Sequence, residues 1–259
     1  MDLGIEGRSA IVCASSKGLG KACALALARE GARVTINSRS AANLESAAQE
    51  IFDGTGKRVQ AVVGDIALES TRIALLEACP TPDIVVTNNA GPMPGRFQDW
   101  DRDAWIAALD SSMLAPALLI RAVIDGMVER QFGRIVNILS AMVKSPLAPM
   151  GLSAGPRTGL MSMCKGLSRE VARFNVTINN LLPERIDTER QQFMAGLAAA
   201  MKGQSVEEAY EDIRATIAAG RLGTPSEFGD ACAYLCSAQA GFVSGQNLQL
   251  DGGSYPGIL

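Results

Sequence analysis

Short, uninterrupted apolar runs, each followed by a segment with helical spacing, set the architecture available to this chain. Arg8 to Cys13, Arg33 to Ile36, Arg58 to Val63 and Asp83 to Thr87 are such runs in the first third. Lys21 to Glu30, Ala41 to Phe52 and Ser70 to Ala78 lie between them and place Ala, Leu and Ile at helical intervals. Runs that do not alternate apolar with polar belong to strands covered on both faces, as in parallel sheets. The second half continues the pattern. Asp103 to Val128 reads as one long helix with an irregularity at Pro116. Arg134 to Leu139 is a fifth strand, Arg157 to Phe174 a fifth helix, Val176 to Leu181 a sixth strand and Asn247 to Leu250 a seventh. This predicts an α/β fold: a doubly wound, seven-stranded parallel sheet in a single domain over residues 1–259. The polar, Ala-rich stretch at about 188–220 is too long for a simple connection and is expected to form a helical flap over a pocket.

The composition narrows the function. The chain has 259 residues and a net charge of −3, which argues against a nucleic-acid surface. No apolar run approaches the length needed to span a bilayer, and the N-terminus lacks a basic region followed by an apolar one. A cytoplasmic protein with no membrane partner is expected. There is no His, and the six Cys form no Cys-x-x-Cys pair. No metal site is expected, and Ser-His-Asp and Cys-His catalysis are excluded.

The loop after the first strand reads Cys13-Ala14-Ser15-Ser16-Lys17-Gly18-Leu19-Gly20. Small residues there let the backbone approach a diphosphate, and the next helix opens with its N–H groups toward that anion. This loop resembles the Thr-Gly-x-x-x-Gly-Ile-Gly element of the short-chain dehydrogenase/reductase family, with Ala14 in place of the first Gly. Asn88-Asn89-Ala90-Gly91 resembles its Asn-Asn-Ala-Gly element, and Asp65-Ile66 its adenine-binding Asp pair. Pro183 to Thr188 resembles Pro-Gly-x-x-x-Thr beside the nicotinamide, with Glu184 replacing the Gly, and Asp251-Gly252-Gly253 resembles a C-terminal Asp-Gly-Gly. The resemblance covers nearly the whole chain in order. It implies a Rossmann-like fold, a dinucleotide cofactor and a small-molecule carbonyl or alcohol substrate. It also implies a homotetramer or homodimer. The cofactor residues it implies are Ala14, Ser15, Ser16, Lys17, Gly18, Leu19, Gly20, Ser38, Arg39, Asp65, Ile66, Asn89, Ala90, Gly91, Arg157, Pro183, Ile186 and Thr188.

The end of the second strand reads Asn37-Ser38-Arg39 and lacks the carboxylate that would bond a ribose 2′-hydroxyl. Arg39, aided by Lys17, suits a 2′-phosphate, so NADP(H) is favoured over NAD(H).

The catalytic set implied by the family is Asn, Ser, Tyr and Lys. Ser140 stands at the Ser position, and Ser112, seven residues after Trp105, at the Asn position. Arg157-Thr158-Gly159-Leu160 resembles Lys-Ala-Ala-Leu, so Arg157 replaces the Lys. Ser153, four residues earlier, replaces the Tyr. An alkyl hydroxyl is a weaker acid than a phenol. Lys144, Tyr210, Glu184 and Asp187 are therefore candidate substitute proton donors, with Arg185 a candidate anion clamp. Met142, Leu147, Met150, Phe193 and Met194 are candidate pocket walls. The expected function is an NADP(H)-dependent oxidoreductase interconverting a carbonyl and an alcohol. The alternative is a non-catalytic NADP(H)-binding protein, acting as a sensor or an oligomer partner.

Overall fold

The computed structural model describes residues 2–258. Its seven strands are β1 (Ser9–Val12), β2 (Arg33–Ser38), β3 (Gln60–Val63), β4 (Ile84–Thr87), β5 (Gly133–Ile138), β6 (Val176–Pro183) and β7 (Asn247–Leu250). They form one parallel sheet in the order β3-β2-β1-β4-β5-β6-β7. The helices are α1 (Gly18–Arg29), α2 (Ala41–Thr55), α3 (Glu69–Ala78), α4 (Arg102–Leu109), α5 (Ala115–Glu129), α6 (Gly151–Val171), α7 (Glu189–Lys202), α8 (Val206–Ala215) and α9 (Pro225–Cys236).

The uniform apolar runs follow from a core on each face. Ala10, Val12, Ile84, Val86 and Val136 pack with Leu27 of α1, Leu44 and Ile51 of α2 and Phe228 of α9. Their strand neighbours Ile11, Val85 and Ile135 point the other way, onto Leu75 of α3, Leu119 and Ile120 of α5 and Leu160 of α6. Successive strand residues thus enter opposite cores, and both must be apolar. Strand order reverses between β1 and β4, the place where an open parallel sheet splays its crossovers and leaves a crevice.

Three expectations are corrected. The helix expected from Arg157 begins at Gly151 and runs through Pro156, whose missing N–H cannot bond the Leu152 carbonyl. The long helix expected from Asp103 is continuous from Arg102 to Glu129, but its irregularity is a π turn at Asp110–Leu114 rather than a break at Pro116. Pro116 follows directly on that turn, inside the continuous helix, where its missing N–H removes one bond of the ladder. By length and composition that continuous helix would span a membrane, contrary to the expectation that no segment would. Here it lies against the sheet and α6, burying Leu119, Ile120, Val123 and Met127.

Arg134 of β5 is a buried cation with no carboxylate partner among the described residues. Its guanidinium donates instead to the carbonyls of Ser237, Gly133 and Asn175 and to Asn175 Oδ1, and it lies over the Phe132 ring. It ties β5 to the end of α9 and to the turn before β6. Arg134→Met should lower unfolding stability by about 3 kcal/mol, because several buried acceptors lose their donors. A urea melt checks this, and a change under about 1 kcal/mol would contradict it.

Candidate active site

The crevice at the β1–β4 reversal opens into a cleft of about 570 Å³. Its floor begins at the loop after β1. Ser15 is fully buried; its hydroxyl donates to the Val12 carbonyl at 2.7 Å and accepts from Asn37 N at 3.0 Å, pinning the loop to β2. Ala14 takes a left-handed φ of 46°, a conformation better suited to the Gly that the family places there. A Cβ on Gly20 would stand 2.3 Å from the Ala14 carbonyl oxygen, so only Gly fits under that turn. Asn88 donates to the same carbonyl at 3.2 Å. Lys17 caps α1 with no side-chain hydrogen bond, and the first turn of the helix holds no acid. Its N–H groups and its positive end thus suit a diphosphate.

At the other end of this floor, Ser38, Arg39 and Asp65 line the cleft. The Arg39 side chain is 69% exposed and stands 3.9 Å from Asp65, too far for a hydrogen bond, so its donors are uncommitted. Among the described residues no carboxylate stands at the end of β2 itself. These residues fit a dinucleotide bearing a 2′-phosphate.

Of the expected cofactor residues, Ala14, Ser16, Lys17, Gly18, Leu19, Ser38, Arg39, Asp65, Ile66, Asn89, Ala90, Gly91, Arg157 and Thr188 line this cleft. Ser15, Gly20, Pro183 and Ile186 do not. Ser15 and Gly20 shape the loop from beneath, and Ile186 is buried in a bridge to Gly223. Pro183 ends β6, beside Leu250 of β7.

The chemistry end is built by β5 and α6. Trp100 and Trp105 pack edge to face, 6.0 Å between ring centroids. A Cβ on Gly151 would stand 2.6 Å from Trp100, so the first turn of α6 seats directly against that ring. This seating brings Ser153 and Arg157 to the cleft beside Ser140. The Ser140 hydroxyl accepts from Met142 N at 3.2 Å, and the Ser153 hydroxyl accepts from Arg157 Nη1 at 2.7 Å. Neither donates to a described residue. Both O–H hydrogens therefore remain free over one cleft.

Arg157 is only 7% exposed, and among the described residues its hydrogen bonds go to Ser153 alone. Burial, and then the charge of Arg190, push its guanidinium down to about 10. Ser112 is the catalytic expectation that fails to reach the cleft: it is buried inside the π turn. The turn matters in another way, since the Ser111 carbonyl accepts from Asn89 Nδ2 at 3.0 Å and fixes the loop after β4.

The substitute donors also stand elsewhere. Lys144 donates to Gln249 and lies over the Tyr255 ring. Tyr210 packs under Arg214 in a separate cluster with Ile213 and Ile217. Glu184 and Arg185 line a second cavity with Arg221 and Asp251, and Asp187 a third beside α1. Of the expected walls, Met150 lines the cleft, whereas Met142, Leu147, Phe193 and Met194 do not. Among the described residues no Cys lines the cleft, and burial pushes the thiol of Cys13, at the start of the loop after β1, up to about 12. The sequence reading missed Arg190, which lines the cleft from α7. Its only signal was its place two residues beyond Thr188.

Residues 13–255 match the family model described as enoyl-(acyl carrier protein) reductase. The chain is 31% identical over 262 residues to the NADPH-dependent reductase BacG of Bacillus subtilis, covering 97% of this chain and 99% of that one. It is 28% identical to the 3-oxoacyl-[acyl-carrier-protein] reductase FabG of Vibrio cholerae, covering 98% of this chain and 99% of the relative. The crystal structure of L-sorbose reductase from Gluconobacter frateurii, in complex with NADPH and L-sorbose, superposes with a TM-score of 0.94. It is 26% identical, with all of both chains covered.

Two outcomes follow from this geometry. Arg39→Ala should weaken NADPH binding about tenfold or more and leave NADH binding nearly unchanged, because only the 2′-phosphate is lost as a partner. Fluorescence titration with both nucleotides checks this, and equal weakening of the two would contradict it. Arg157→Met should raise the stability of the cofactor-free protein by about 2 kcal/mol, since a buried cation without a carboxylate is replaced by an apolar chain. Thermal melts at matched pH read this effect; a destabilised variant would show that the guanidinium is structural.

Proposed function

The chain belongs to the short-chain dehydrogenase/reductase family, and on that basis we propose that it is an NADP(H)-dependent oxidoreductase interconverting a carbonyl and an alcohol. The observation that carries this is the pair of hydroxyls, Ser140 and Ser153, whose acceptor sides are occupied and whose hydrogens are free over the cleft. When bound, the cofactor supplies the hydride in reduction or takes it in oxidation. Lys17 and Arg39 hold its 2′-phosphate, the α1 terminus its diphosphate, and Arg157 its nicotinamide ribose.

In the reducing direction the carbonyl oxygen accepts from both serines, which fixes its position and polarises it. As negative charge grows on that oxygen, Ser153 gives up its proton. Arg157, donating to Ser153 Oγ at 2.7 Å, stabilises the oxyanion left behind. Solvent then reprotonates Ser153 through the open cleft. Arg157 does the work of an electrostatic stabiliser, since a guanidinium does not exchange its proton near neutrality. The weak acidity of an alkyl hydroxyl implies slow turnover relative to a phenol-based site.

The stretch expected as a flap forms α7 and α8; its first residues, Thr188 to Arg190, line the cleft, and Thr188 caps α7 by accepting from Gln191 N. Exposed Ile106, Leu114 and Leu118 on the Arg102–Glu129 helix and Met163 on α6 supply an apolar face for a homodimer or homotetramer. The six cysteines are all unpaired, which accords with a reducing, cytoplasmic setting.

A panel of small ketones should include members that oxidise NADPH. On them Ser140→Ala and Ser153→Ala should each lower kcat by about a hundredfold while retaining NADPH affinity. Steady-state absorbance at the NADPH band measures this. NADPH that binds but is never consumed would instead support the cofactor-binding protein without turnover.

A further inference from the structure

We propose that the carbonyl compound taken by this cleft is an anion, whose carboxylate or phosphate oxygens bind between Arg157 and Arg190. This rests on the oxidoreductase reading above and names its substrate class.

Arg157 presents five N–H donors, and only Nη1 has protein partners, both on Ser153. Nη2 lies 3.5 Å from where a Cβ on Gly91 would stand, so it faces the loop after β4 within the cleft. Arg190, near the start of α7, faces the same cleft from the flap. Its Nη2 donates to the Pro92 carbonyl at 3.1 Å, and its Nη1 stands 3.6 Å from the Met93 sulfur. Both partners are neutral, and the sulfur is a weak acceptor. Two guanidiniums thus face one cleft, close enough for the charge of Arg190 to act on Arg157. Arg157 is buried without a carboxylate among the described residues, and Arg190, exposed at the rim of the cleft, adds a second positive charge there, so an anion bound between them would offset both.

No protein group supplies that anion. Among the described residues, the carboxylates lining the cleft are Asp65 and Glu189. Asp65 accepts from Ala67 N and stands toward Arg39, at the adenosine end. Glu189 Oε2 lies 3.7 Å from where a Cβ on Gly18 would stand, at the diphosphate loop. Neither forms an ion pair with Arg157 or Arg190. The dinucleotide does not supply it either. Its phosphates belong to the α1 terminus and to Arg39, and its nicotinamide end carries a ribose and a carboxamide. The requirement falls on the substrate.

Proximity narrows the class further. A carbonyl held by Ser153 lies beside Arg157, because the two side chains are 2.7 Å apart. The oxyanion and the carbonyl are therefore a few bonds apart, as in a short oxo acid or a phosphorylated ketone. The planar guanidinium fork matches either oxyanion.

Calorimetric titration of the NADP⁺-loaded protein tests this without turnover. The probes are 2-oxobutanoate against its methyl ester, and dihydroxyacetone phosphate against dihydroxyacetone. In at least one pair the anion should bind about tenfold or more tightly than its neutral partner. The pair that does so tells carboxylate from phosphate. Arg190→Gln should collapse that ratio toward one, and Arg190→Lys should restore part of it. Arg173→Gln, at the opposite end of α6, should leave it intact. Equal binding within both pairs, or a ratio that survives Arg190→Gln, would overturn the proposal. Failure to reduce any carbonyl would instead overturn the oxidoreductase reading, and the titration would still decide the clamp.

Discussion

The reversal of strand order between β1 and β4 is the constraint on which the rest of this molecule depends. Crossovers leave the sheet in opposite directions there, and a cleft opens at the carboxyl ends of the two strands. Everything chemical in the chain is drawn to that gap. The loop after β1 is pinned to β2 through Ser15 and Asn37, and to the loop after β4 through Asn88 and Ala14. The loop after β4 is pinned in turn to the π turn through Asn89 and the Ser111 carbonyl. A diphosphate floor and a carbonyl pocket thus share one rigid frame.

The chemistry end departs from its family by two exchanges, and they make physical sense only together. In the proposed catalytic set, Ser153 takes the place of the family's phenol and Arg157 that of its ammonium. With the hydroxyl four residues before it on α6, the guanidinium reaches back to donate into its oxygen. A buried cation with no carboxylate is a poor choice for folding stability. Its retention is understandable if its partners arrive from outside, as cofactor and substrate. The second cation, Arg190, comes from the first turn of α7 and lines the same cleft.

Much of this was legible in the sequence. The strands were, because both of their faces meet apolar cores; Asn247–Leu250 matched to the residue. The loop from Cys13 to Gly20 was, because close backbone approach restricts which residues fit. The start of α6 was not. Pro156 signals a boundary, whereas packing of Gly151 against Trp100 carries the helix through it. The π turn was hidden because a bulge changes hydrogen bonds without changing apolar spacing. The burial of Ser112 inside that turn was hidden for the same reason. Arg190 was missed because its meaning lies in distant partners, Pro92 and Arg157, which a polar, Ala-rich stretch does not advertise. Lys144 looked plausible by its place four residues past Ser140, Tyr210 by its place in the expected flap and Glu184 by its motif beside the nicotinamide, yet each faces another part of the molecule.

The central claim is that two hydroxyls and a buried guanidinium suffice for hydride transfer here. Single-turnover incubation with NADPH deuterated at nicotinamide C4, over a panel of ketones, oxo acids and ketoses, tests it most directly. The expected product is an alcohol carrying deuterium at the former carbonyl carbon, detected by mass spectrometry. The transfer should also slow in Ser153→Ala. Bound NADPH that retains all its deuterium with every member of the panel would contradict the claim.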